Sequence, residues 1–70
     1  MKQVITVGNY QALFDNHLQH YVVSNSDAFL GTIGISLYND NQFENVQDFD
    51  LYRLVNQCRK EIDNIVYLLN

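Results

Sequence analysis

Apolar and polar positions alternate with different periods in the two halves of this chain. In the C-terminal third, Leu51, Val55, Cys58, Ile62, Ile65 and Leu69 are spaced four, three, four, three and four apart. That spacing makes one continuous apolar seam on a helix. Leu54, Val66 and Leu68 widen the seam, while Arg53, Asn56, Gln57, Lys60, Asp63, Asn64 and Asn70 take the opposite side. Asp48 or Asn45 can cap the start, and acids in the first turn suit the positive end of the helix dipole. The pattern predicts a helix from about Asp48 to Leu69.

The first forty residues predict strands. Val4-Ile5-Thr6-Val7 is β-branched, and Gly8-Asn9 suits a two-residue hairpin loop with the chain returning over Tyr10 to Phe14. His20-Tyr21-Val22-Val23 is a third strand, closed by the turn-rich Ser24-Asn25-Ser26-Asp27. Ile33, Ile35 and Leu37 alternate with Thr32, Gly34 and Ser36, as a half-buried strand does. One segment fits two periods. Tyr10, Leu13, Phe14, His17, Leu18 and Tyr21 also match a short helix capped by Asn9, so hairpin and helix both stay open over residues 10–20. Either way the expected class is α+β, a small antiparallel sheet of three or four strands packed on one long C-terminal helix, in a single domain spanning residues 1–70.

The helix length is informative. About 22 residues at 1.5 Å each extend roughly 33 Å, whereas a compact chain of this size has a diameter near ~28 Å. The helix must cross the whole fold or project from it. Part of the seam Leu51, Val55, Ile62, Ile65, Leu69 is therefore a candidate self-association surface.

Composition narrows the functional classes. Seventy residues with 47% hydrophobic content and nine aromatics (Tyr 5, Phe 4) are enough for one small core and argue against disorder. Cys58 is the only cysteine, so no intramolecular disulfide can form, and a reducing, cytoplasmic setting is expected. The start resembles no signal peptide and no apolar run approaches the ~20 residues of a membrane span. Nucleic-acid binding is not expected either, since four Lys and Arg are too few to neutralise a phosphate backbone.

The charge is unevenly placed. Asp40, Glu44, Asp48 and Asp50 fall within eleven residues that hold no Lys or Arg, and the remaining acids and bases balance, so the net charge of -4 resides in this window. Phe43, Phe49 and Tyr52 lie among the acids. Carboxylates beside aromatics can steer a basic protein surface and anchor on it. The same acids also serve simply to keep a helix start solvated.

Chemistry of other kinds finds no motif. No Ser-His-Asp or Cys-His arrangement, phosphate loop or calcium loop is present. His17 and His20 are three apart but lack the further ligands that zinc requires, and Cys58 on the seam reads as a small hydrophobe. No catalytic residue, metal or cofactor is expected.

A strand-rich N-terminus, one main helix and a clustered acidic face in a very small chain resemble phage-encoded anti-defence proteins of the anti-CRISPR kind. The resemblance lies in size, charge layout and element order. It implies an inhibitor whose acidic face 40–50 occupies a basic, nucleic-acid-binding surface of a host protein. The other reading is a structural homodimer or assembly module working through the helix seam.

Overall fold

The computed structural model describes residues 3–26, 28–34, 43 and 45–69, the last five as backbone only. Four strands and one helix follow one another: β1 (Val4–Val7), β2 (Tyr10–Asp15), β3 (His20–Asn25), β4 (Ala28–Gly34) and α1 (Phe49–Leu69). The strands form one antiparallel meander in the order β1-β2-β3-β4, and the helix packs on one face of it. The fold is α+β, a four-stranded antiparallel sheet against one C-terminal helix.

Local chemistry sets each connection. Val7 pairs with Tyr10 across the two-residue loop Gly8-Asn9, where Gly8 takes φ +57°, a setting that costs glycine nothing. The β2–β3 loop is held by Asp15, whose Oδ1 accepts the backbone N–H of His17 (2.9 Å) and Leu18 (3.1 Å). Gln19 closes it by donating its N–H to the Asp15 carbonyl at 2.8 Å, with φ +59°. An aspartate that bonds the backbone two residues on is a turn former by mechanism. This loop decides between the two readings of residues 10–20: the hairpin forms. Across it, Phe14 faces Tyr21 with ring centroids 4.9 Å apart in an edge-to-face arrangement, a cross-strand pair no helix could make.

The fourth strand starts earlier than its alternation implies. It runs from Ala28 rather than from Thr32, and residues 35–37 lie outside the described residues. Val23 pairs with Gly31 while Ser24 pairs with Phe29, so Leu30 is an extra residue on β4, a bulge. The bulge disrupts the period of two and hides the first half of the strand from pattern reading.

The core lies between the inner sheet face and α1. Ile5, Val7, Ala12, Phe14, Tyr21, Val23 and Ile33 supply the sheet side; Leu54, Val55, Cys58 and Ile62 supply the helix side. Twenty-one helical residues at 1.5 Å per residue match the longest molecular dimension, 33 Å, with 21 and 17 Å for the others. The helix thus accounts for the molecule's longest dimension. Val55 and Ile62, two seam positions considered for self-association, are buried against the chain's own sheet, and Leu51 packs partly on the same core. That part of the seam is not available to a second copy, because a fold this small needs it to close its only core. The side chains of Ile65 and Leu69 lie outside the described residues.

Candidate functional site: the helix-start corner

The start of α1 rests against the β1–β2 hairpin loop, and this junction organises the acidic corner. Asp48 is the N-cap. Its Oδ1 accepts the N–H of Asp50 (3.0 Å) and of Leu51 (3.3 Å), and its carbonyl takes the first helical hydrogen bond from Tyr52 at 2.9 Å. These are the amide groups that a helix start leaves without partners. The second oxygen, Oδ2, accepts the Tyr10 hydroxyl at 2.6 Å. The Tyr10 bond, then the Leu51 amide, hold the Asp48 carboxyl below its ordinary range. The same bond first, with smaller effects from partial burial and from the charges of Asp48 and Asp50, raises the Tyr10 phenol.

Asp50 sits directly over Gly8. A Cβ added to Gly8 would run into the Asp50 carboxylate, whose carbon lies 2.9 Å away. The positive φ favours glycine there, and any Cβ would make the Asp50 carboxylate shift. Tyr10 and Gly8 are therefore the partners that position the acids. Sequence spacing alone gave no sign of them, since residues 8–10 and 48–50 meet only in the folded chain.

Of the residues assigned to the acidic face, Asp48 and Asp50 come together here, while Asp40 and Glu44 lie outside the described residues. Of the three aromatic anchors, two are on the surface. Phe49 is 70% exposed and Tyr52 is 53% exposed. They stand three apart on the first helical turn, and therefore on one side of it. The Arg53 guanidinium lies 5.7 Å from the centre of the Phe49 ring, in cation–π range. Phe43 is a correction: at 5% exposure it belongs to the core and cannot anchor a partner. It joins the same buried cluster as the inner sheet face and the helix, in a small fold that closes a single core among the described residues.

The remaining candidates for chemistry separate. Cys58 is fully buried, and burial, followed by the Glu61 charge, pushes its thiol up to about 12. A thiol so disposed is a packing group and a poor nucleophile. His17 is exposed in the β2–β3 loop, and His20 lies on the outer sheet face with its ring over Gly34. Among the described residues no three His, Cys, Asp or Glu side chains are grouped to hold a metal ion, and no helix is long and apolar enough to cross a membrane.

No protein-family model, curated protein or solved structure matches the chain. The reading of this corner rests on its own geometry.

Proposed function

We propose that this is a non-enzymatic protein-binding protein and that the helix-start corner is its docking surface. Phe49 and Tyr52 are the anchors, and Asp48 and Asp50 steer them to a basic surface. The observation that carries the reading is the pair of large aromatics left in solvent on one helical turn, beside Asp50 and beside an Asp48 carboxylate held by Tyr10 and two backbone amides. Exposed aromatics clustered beside fixed charges are what interface centres use, because their burial is large and their entropy loss small. The partner this chemistry fits is a basic surface that itself binds nucleic acid, which makes the protein an inhibitor of the phage anti-defence kind acting in a bacterial cytoplasm.

The test is capture of targets from a bacterial lysate by the tagged parent and by a Phe49→Ser/Tyr52→Ser variant, with heparin as competitor. Asp48 is left intact, since replacing the cap would alter the fold as well as the charge. A nucleic-acid-handling protein held by the parent, released by heparin and missed by the variant supports the proposal. Equal capture by both proteins, or capture indifferent to heparin, would falsify it.

A further inference from the structure

The sheet has a second face, which the helix does not cover. Strand register places Val4, Leu13, Val22 and Thr32 in one row across it, and Thr6, Gln11, Ser24 and Phe29 in the next. Val4 is 47% exposed, Leu13 50% and Phe29 67%. A third row holds Asp15, His20 and Gly34, with the His20 ring laid over Gly34, where a Cβ would come within 2.6 Å of it. Among the described residues the face is thus partly apolar and almost uncharged. The one formal charge among its described residues, Asp15, has a carboxylate that already holds the β2–β3 loop.

We infer that this outer face pairs with the same face of a second copy, making a weak dimer of two sheets with the helices outside. Charge placement selects the occupant. Among the described residues of these rows a nucleic acid would find no lysine or arginine, and a strongly charged protein surface would find only Asp15 to oppose it. A second copy brings an equally neutral, apolar face, which is the requirement of aligned sheet packing. Two copies at net charge -4 repel each other in most orientations. Stacked through the outer faces, sheets ~10 Å apart with a helix layer ~10 Å thick on each outside hold the acidic corners more than ~20 Å apart. That exceeds the ~8 Å screening length of physiological salt.

The area sets the strength. Four strands ~4.8 Å apart and about six residues long at ~3.3 Å each give a footprint of roughly 400 Å² per copy. Doubled and roughened by side chains, this falls in the class below ~1,200 Å² that characterises weak, reversible contacts. The dimer therefore forms and dissociates with concentration. It is independent of the helix-start corner, which stays open on each copy.

The experiment is analytical ultracentrifugation of the full chain from about 5 µM to about 1 mM, together with amide chemical shifts across the same range. The expected result is a mass that rises from monomer toward dimer, with shifts moving at Val4, Leu13, Val22 and Phe29. Leu13→Lys and Phe29→Lys, each checked by circular dichroism, should lower the association constant at least tenfold, while Phe49→Ser should leave it unchanged. A monomer at every concentration overturns the inference and leaves the face to a different partner. So does a dimer whose shifts cluster at Phe49 and Tyr52, a result that requires no variant to fold.

Discussion

The two faces of the sheet are built from the same strands, yet they have opposite fates. On the inner face Ala12, Tyr21, Val23 and Ile33 are sealed from solvent beneath α1. On the outer face Val4, Leu13 and Phe29 stand open. Strand geometry sends alternate side chains to opposite faces, so hydrophobicity alone does not separate Leu13 from its neighbours Ala12 and Phe14. What separates them is the helix, which is long enough to cover one face from end to end and is single. A chain of this size has one layer to give, and whatever apolar surface its other face carries must remain wet or meet another molecule.

That contrast can be broken most forcefully from the inside. Leu54→Ala removes a fully buried side chain at the helix–sheet contact and should cost about 2–5 kcal/mol. With a total stability of a few kcal/mol, the variant should be largely unfolded at 25 °C by circular dichroism. Leu13→Ala, with half its surface in water already, should melt within a few degrees of the parent.

Alkaline pH attacks the same inner layer without mutation. Burial, and after it the Glu61 charge, raises Tyr21 and Cys58 from ordinary values of 10.0 and 9.0 to about 12. Both folded values are raised, so the stability they contribute is complete below the unfolded values and is lost as pH climbs from about 9 toward 12. The loss should reach the order of a few kcal/mol, seen as a falling urea midpoint from pH 8 to 11. No comparable change should arise from the outer face, which has no buried titrating group among the described residues.

A smaller effect is expected at the junction that seats the helix on its face. Gly8→Ala forces a Cβ into a left-handed backbone and against Asp50, at about 1–2 kcal/mol for the conformation alone. Asp48→Ala removes the cap and the acceptor of Tyr10, a loss of about 1 kcal/mol, whereas Asp48→Asn should recover most of it. The Asp48 carboxyl is depressed in the fold, so its contribution is present above the unfolded carboxylate value and disappears as pH falls through the lower, folded one. Parent and Asp48→Asn melting curves should therefore converge in acid. Least of all, Leu13→Ser should move stability by under ~0.5 kcal/mol while weakening self-association in sedimentation.

How far the chain could be read follows from where its signals are local. The helix was legible from Leu51 to Leu69 because a seam of period 3.5 has one structural meaning at that length, and its cap at Asp48 obeyed a rule of neighbouring residues. The strand at Val4–Val7 and a candidate loop at Gly8-Asn9 were legible, but Asn9 served equally as a helix cap, so the return of the first hairpin was not settled. Residues 10–20 were ambiguous because Leu13 and Leu18 completed a helical pattern, though both are exposed in the structure. The start of β4 was hidden by the extra residue Leu30 and by an exposed Phe29, which together erase the alternation.

The sequence by itself determined the α+β class, the long C-terminal helix with its cap, and the strand character of residues 4–7 and 20–23, since helix period, β-branched runs and capping depend on residues a few positions apart. It left residues 10–20 open between hairpin and helix. Tertiary structure alone decided which face of the sheet the helix would cover. It also sent Phe43 into the core while Phe49 and Tyr52 stayed outside, and it seated Asp48 on Tyr10 and Asp50 on Gly8. Those outcomes depend on contacts between residues some forty positions apart, and on the fact that one helix can bury only one side of one sheet.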